Sequence, residues 1–301
     1  MTLDQLRIFI AVAEREHVTQ AAAALNLTQS AVSAAISTLE ERHAVRLFDR
    51  VGRGIMLTDA GRLFLDEARG VLARAEQAER LLGDLAGLRR GTLRLAASQT
   101  VSNYWLPPLM QQFHAAHPGF GLELLTGNSA EVAQMVHGAT VDLGFVEGEI
   151  DDPALSVRSL PGDSLALVVA PDHDWATLPP ITAEDLKTSP WVLREPGSGT
   201  RAVCAAALAR YGLTSADLDI ALVLPSNEAV RAAVEARAGA TILSMLVVLP
   251  SIDAGRLVRV PFDLPPRRFH VLRHKERHLS LAERRFLEFA APEVPGRVAR
   301  P

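Results

Sequence analysis

Among 301 residues there is one cysteine, Cys204. That leaves no intramolecular disulfide framework and no multi-cysteine metal site, and it fits a reducing, cytoplasmic setting. No run of about 18 apolar residues occurs, so neither a membrane span nor a membrane partner is expected. The N-terminal apolar pattern is broken by Asp4, Arg7 and Glu14, which an export signal would not carry. Lysine is scarce. Of 31 basic residues only Lys187 and Lys275 are not arginine, which together with the alanine bias reads as genome composition. Signatures of catalysis are missing too: no H-E-x-x-H, no Walker-type loop, no G-x-S-x-G and no G-x-G-x-x-G after a strand. No catalytic residue, metal site or cofactor is therefore expected, and the chain does not read as an enzyme. His114 and His117 share a helical face without an adjacent carboxylate and read as surface residues. His270, His274 and His278 have i, i+4 spacing, but Arg268–Leu272 alternates like a strand and spoils that geometry. Cys204 lies in an apolar helical run and reads as an inert core thiol.

What is present is a well-mixed globular composition, 48% hydrophobic and 22% charged. It argues against disorder, and the length suits two or three domains. Residues 1–58 read as short helices with tight turns. Leu3, Leu6, Ile10 and Ala13 share one face, and Thr2 with Gln5 has capping-box spacing. A second helix is expected from Thr19 to Leu25 and a third from Gln29 to about Arg42, with a turn at Asn26-Leu27. Leu47-Phe48 and Ile55–Leu57 around Gly52-Arg53-Gly54 suggest a β-hairpin. Residues 59–90 contain no proline and form one long helix. Phe64, Ala68, Val71, Ala75, Ala78, Leu82 and Leu85 make a three-heptad seam suited to pairing with a second copy. From Gly91 onward short strand-like runs alternate with helical stretches, which predicts parallel sheets with helices on both faces.

Thr19–Glu41 carries the first functional signal. Small residues at Ala22–Ala24 allow two helices to cross, and Leu25, Leu27, Val32, Ile36 and Leu39 lock the angle. Thr28, Gln29, Ser30 and Ser33 then lie on the outer N-terminal face of the second helix, where polar side chains reach base edges and the helix terminus meets phosphate. Arg50 and Arg53 flank a hairpin that can follow the backbone or enter a minor groove. The stretch Gln29-Ser-Ala-Val-Ser-x-x-Ile-x-x-Leu-Glu40, with Arg46-Leu-Phe-Asp-Arg50 and Leu57-Thr-Asp-Ala-Gly61, closely resembles the LysR-type transcriptional regulators over essentially the whole chain. The resemblance implies an α/β protein with an N-terminal all-α winged helix–turn–helix (1–58), a dimerising linker helix (59–90) and an effector-binding domain (91–301). It also implies homotetramers built from dimers, a dyad-symmetric double-stranded DNA site, a small inducer, and RNA polymerase as a further partner. One departure is Ser33-Ala34-Ala35-Ile36, where many relatives place an arginine after the second serine. That shifts more of the readout to Gln29, Ser33 and the wing.

The effector part resembles the two α/β lobes, joined by two crossings, of type II periplasmic solute-binding proteins. Lobe I is expected over about 91–162 and 267–301, and lobe II over about 163–266. Polar groups gather where strands end and helices begin: Ser98, Gln99 and Thr100; Asn128 and Ser129; Glu195, Ser198, Thr200 and Arg201; and Asn227. Such ends are where open α/β sheets bind ligands. Pro196-Gly-Ser-Gly-Thr-Arg201 suits a carboxylate or small oxyanion. Taken singly, each of these residues reads better as an ordinary helix cap; four such sites from separate segments shift the balance to a pocket. Glu195–Arg201 with Ser226–Ala229 also resembles the branch that controls carbon fixation and sulfur-oxyanion metabolism, implying a phosphorylated metabolite or an anion such as sulfite. Glu147 is the counter-argument: if it lines the pocket it opposes an anion and favours an amine. Residues 149–152 read as a solvated acidic loop.

The expected protein is thus a ligand-responsive transcriptional regulator, with a solute-binding protein or an enzyme of small acids as alternatives built on the α/β part alone. The net charge of −4 does not oppose DNA binding. Six basic residues face six acidic ones in 1–58, and six face six in 59–90; the acidity belongs to 91–266, with 10 basic against 19 acidic residues. A neutral DNA-binding part gains little from counterion release, so affinity must lean on dimer geometry, helix termini, Arg50 and Arg53.

Overall fold

The computed structural model describes residues 1–51, 54–85, 91–177 and 181–290. The chain divides into two compact units. In the first, α1 (Leu3–Arg15), α2 (Val18–Ala24) and α3 (Gln29–His43) precede a hairpin of β1 (Phe48–Val51) and β2 (Gly54–Leu57), followed by α4 (Asp59–Leu85). Thr2 and Gln5 form the expected reciprocal cap, and Thr28 caps α3 by accepting from the Ala31 N–H at 3.2 Å. Packing by α2, α3 and α4 broadens the buried face of α1 beyond the anticipated stripe. Phe9 and Val12 are fully buried, whereas Leu3 is 40% exposed. The helix crossing likewise uses Ala21 and Ala22, with Ala23, Ala24 and Leu27 left exposed, so Leu27 is not one of the locks; Val32, Ile36 and Leu39 are buried. Glu40 accepts from the Leu47 and Phe48 N–H groups at 2.7 and 3.1 Å, tying the hairpin to α3. Thr58 caps α4 through Gly61 N–H, and a Cβ on Gly61 would lie 2.1 Å from the Leu47 carbonyl oxygen. The Leu57–Gly61 motif is therefore a cap joined to a close backbone approach.

In the second unit a five-stranded sheet has the order β4-β3-β5-β12-β6. Its members are β3 (Gly91–Ser98), β4 (Phe120–Gly127), β5 (Leu143–Glu147), β6 (Leu155–Leu160) and β12 (Phe269–His274). A π-helical turn (Val101–Trp105) leads into α5 (Leu106–Ala116), which with α10 (Leu281–Ala290) covers one face around Phe113, Phe145, Phe269 and Phe286. On the other face α6 (Ser129–His137) packs around Val132 and Val136. The second lobe contains β7 (Leu165–Val169), β8 (Pro190–Arg194), β9 (Asp219–Leu224), β10 (Thr241–Ser244) and β11 (Val258–Val260). Strands β10-β7-β11 form one sheet, β8-β9 another, and a bridge from Trp191 to Ala240 joins them. Helices α7 (Gly199–Ala209), α8 (Asn227–Glu235) and α9 (Met245–Asp253) cover the two faces.

Strands β8 and β9 are parallel as expected, but the five-stranded sheet is mixed and the β10-β7-β11 sheet is antiparallel: β12 runs antiparallel to β5 and β6, and β7 antiparallel to β10 and β11. Each of these strands arrives directly from the other lobe. Without a crossover helix to return it to the starting edge, it runs opposite to its neighbours. Two elements have no counterpart in the sequence reading. Half-exposed β6 alternates too weakly to show, and α9 is an apolar run containing Pro250.

Candidate functional site

The outer face of α3 presents Gln29, Ser30 and Ser33, all exposed, with Thr28 at its N-cap, also exposed. Ser37 continues the same face one turn later, a position that sequence reasoning omitted although i+4 spacing from Ser33 marks it. Ala34, in the same stripe, is exposed and offers no polar atom. Arg50 is exposed on β1; Arg53 lies outside the described residues. Along α4, Phe64 and Ala68 pack into the helical domain, the Phe64 ring 4.9 Å from that of Phe9. Further along, Val71 and Leu82 are 42% and 67% exposed and Ala78 is exposed. The seam is therefore spent on the domain's own core at its start and uncovered at its end; the Leu85 side chain lies outside the described residues.

In the second unit the predicted polar residues divide into two groups. Asn128 and Ser198 are helix caps. Asn128 accepts from Glu131 N–H at 3.0 Å while Glu131 accepts from Asn128 N–H at 2.7 Å, and Ser198 accepts from Arg201 N–H at 3.4 Å. Ser98, Thr100, Ser129 and Thr200 meet between the lobes, at Glu147 at the end of β5, whose residue is 1% exposed. Its carboxylate accepts from Ser98 Oγ, from Thr100 Oγ1 at 3.2 Å and, across the lobes, from Thr200 Oγ1 at 3.0 Å. Ser129 Oγ donates to the Glu147 carbonyl at 2.9 Å. Arg267 lies 3.7 Å from Glu147 and grips Asp163 with two bonds of 2.6 Å, so the two crossing segments are clamped together.

A second chain of bonds has a fixed direction, because arginine and the amide NH2 only donate. Arg194, 3% exposed, donates through Nη1 to Asn227 Oδ1 at 2.6 Å. Asn227 Nδ2 donates to Thr100 Oγ1 at 3.0 Å, and the Thr100 proton goes to Glu147. Gln99 spans the lobes as well, accepting from Asn227 N–H and donating to the Pro225 carbonyl, each at 2.9 Å. Tyr104 donates to Glu228 at 3.1 Å; burial pushes its phenol pKa up, and the Glu228 charge adds to the rise. Glu195 does not confront the cleft as a free charge, for Arg194 holds it through two bonds of 2.7 and 2.8 Å. Arg201 Nη1 donates to the Arg194 carbonyl at 2.7 Å. Arg194, Asp163 and Arg267 carry no motif, and only the fold brings them here.

Beside this network lies a cavity of about 400 Å³ between Glu147–Ile150 of one lobe and Pro196–Ala205 of the other, with Ser129, Ser198 and Arg201 in its lining. Gly197 (φ +86°) and Gly199 let the backbones close up, and a Cβ on Gly199 would sit 2.1 Å from the Glu147 carbonyl oxygen. Asp152 of the expected acidic loop instead accepts from His137 at 2.8 Å. His117 sits among the Phe113, Phe120 and Phe289 rings. Among the described residues no cluster could hold a metal, and no helix is long and apolar enough to cross a membrane.

Residues 3–62 match the family model of the bacterial regulatory helix-turn-helix protein, lysR family, and residues 86–295 match the LysR substrate binding domain. The chain belongs to the LysR family. This LysR-family chain is a DNA-binding transcriptional regulator with a substrate-binding domain, not an enzyme. It is 36% identical to the Escherichia coli K12 HTH-type transcriptional regulator YeiE, described as uncharacterised, covering 97% of this chain and 98% of that one. To the RuBisCO operon transcriptional regulator of Allochromatium vinosum it is 32% identical, covering 98% and 97%. Its fold is that of full-length CbnR, solved in complex with target DNA: TM-score 0.70, 23% identity, 96% of this chain and 99% of that one.

Proposed function

We propose that this regulator binds a dyad-symmetric promoter site in the cytoplasm as a homodimer joined along α4 and assembled into a homotetramer. In this reading Gln29, Ser30 and Ser33 read bases, Thr28 and the start of α3 meet phosphate, and Arg50 with Arg53 of the wing follow the backbone. The exposed end of the α4 seam supports pairing with a second copy, and RNA polymerase is the partner that promoter control requires. A small anionic inducer binds between the effector lobes, where a phosphorylated metabolite or an oxyanion such as sulfite fits the RuBisCO-operon relative.

The observation that carries this reading is the inter-lobe network. Side chains of both lobes converge beside a cavity, so a ligand there changes the balance between lobe arrangements. The three hydroxyls of Ser98, Thr100 and Thr200 already spend their protons on Glu147. An anion is therefore held by Arg201 and the N-terminal turn of α7, with Ser198 and Gly199, not by the hydroxyl cluster.

Two measurements test it. Gln29→Ala and Ser33→Ala should weaken binding to the operator upstream of the regulated gene more than binding to scrambled DNA; equal losses on both sink the base-reading assignment. In a thermal-shift screen of small anions, one present at 100 times its Kd should add about 2.7 kcal/mol to the domain it binds. Arg201→Ala should remove that gain, and a response unchanged by the substitution refutes the placement.

A further inference from the structure

A second cavity, about 420 Å³, adjoins the first on the other side of the Gly148-Glu149 turn. Its apolar wall is Ala202, Val203 and Ala206 of α7 together with Pro265 and Pro266 of the returning crossing. Its polar lining is unusual in what it leaves unused. Glu149 and Arg268 are both exposed, and neither has a hydrogen bond or ion pair among the described residues. His270 Nδ1 is buried and has no hydrogen-bond partner among the described residues. Arg267, which also lines the cavity, is bound to Asp163 through Nε and Nη2, while its buried Nη1 lies 3.7 Å from Glu147 and has no hydrogen-bond partner among the described residues. Glu149 and Arg268 both lie close enough to the His270 ring to act on it. Burial lowers its pKa first, Glu149 opposes that shift and Arg268 adds to it.

We propose that this cavity binds a free α-amino acid with an apolar side chain, as a site separate from the anion-binding cleft. One unpaired carboxylate and one unpaired guanidinium beside an apolar wall match an ammonium, a carboxylate and a hydrocarbon on one small molecule. The local charge is balanced, so a zwitterion meets a partner at each end. A bare acid confronts Glu149 and a bare amine confronts Arg268, each leaving one like charge opposed. The volume is within the range of small-ligand pockets. Because the wall joins α7 of one lobe to the crossing that enters β12 of the other, an occupant touches both lobes.

The test uses the full-length protein and titration calorimetry with L-leucine, isovalerate, isoamylamine and glycine, repeated on Arg268→Ala and Glu149→Gln. Both substituted side chains are exposed and unpaired, so the variants should keep the native melting profile. Saturable leucine binding is expected, with isovalerate, isoamylamine and glycine each at least about tenfold weaker. Each variant should lose about tenfold for leucine, or about 1.4 kcal/mol. The proposal is overturned if leucine gives no saturable binding up to about 10 mM. It is also overturned if isovalerate binds as tightly as leucine, or if Arg268→Ala binds leucine as the wild type does. Loss of the anion response in Arg201→Ala with leucine binding retained separates this site from the cleft.

Discussion

Replacing Gly199 by alanine should drive a wedge between the effector lobes. The new Cβ would sit 2.1 Å from the Glu147 carbonyl oxygen and 2.3 Å from Ser129 Oγ, whereas ordinary contact begins near 3.4 Å. Neither neighbour is the free end of a flexible side chain: one is backbone and the other donates to that same carbonyl. The lobes must therefore part by about 1 Å, which stretches the 3.0 Å bond from Thr200 to Glu147 beyond useful length. Overpacking costs about 1–3 kcal/mol, and a hydrogen bond to a charged group contributes about 1.5–3 kcal/mol. The better helix propensity of alanine returns at most about 1 kcal/mol. A net loss of about 2–4 kcal/mol lowers the melting temperature of a domain of this size by roughly 5–10 °C. Calorimetric melting of the full chain measures this. Gly70→Ala is the control, since a Cβ there meets nothing within 4 Å and alanine should be neutral or stabilising. A Gly199→Ala protein that melts within about 1 °C of wild type refutes the wedge.

Arg267→Met leaves Glu147 and Asp163 buried without their cation, and should cost about 3–5 kcal/mol in urea unfolding; a loss below about 1 kcal/mol means the clamp does not hold the crossings. Asp152 titrates below the ordinary carboxyl value of 3.8, because the His137 and Ala154 hydrogen bonds outweigh the upward pull of burial. Its contribution to stability is thus full above that value and lost as pH falls through the lower folded pKa. Asp152→Asn should accordingly flatten the acid limb of a stability-versus-pH curve, and an unchanged limb counts against the pair. Burial pushes the Cys204 thiol up to about 12, so a thiol reagent at about pH 8 should label it only in denaturant. Rapid labelling of the native protein contradicts that burial.

How the charges near the cleft act depends on where their partners are. In the sequence, Glu147 argued against an anionic ligand, and Glu195 sat beside the proposed anion site. In the fold, Glu195 is held by Arg194, and Glu147 is enclosed by three hydroxyls with Arg267 nearby. Conversely Glu149, which read as part of a solvated loop, lines both cavities. Among the described residues that line the two cavities, Glu149 and Arg268 thus have neither ion pair nor hydrogen bond, while Arg201 at the start of α7 keeps its charge free of a carboxylate and donates only to the backbone of Arg194.

The sequence alone was sufficient for whatever depends on neighbours three or four residues apart. The Thr2–Gln5 cap, the exposed stripe Thr28, Gln29, Ser30 and Ser33, the hairpin and the long α4 all follow from short-range spacing. So does the family resemblance, which is carried by an ordered local block. Tertiary structure alone decided the rest. It chose Ala21 and Ala22 over Ala23 and Ala24 for the helix crossing, and it turned β7 and β12 antiparallel. It made caps of Asn128 and Ser198 and sent the protons of Ser98, Thr100 and Thr200 to Glu147. Those three bonds join residues 49, 47 and 53 positions apart. A hydroxyl at a strand end looks the same in sequence whether it caps a helix, faces a ligand or closes on a buried carboxylate. Which of these it does is set by what packs against it, and that is decided only when the two lobes meet.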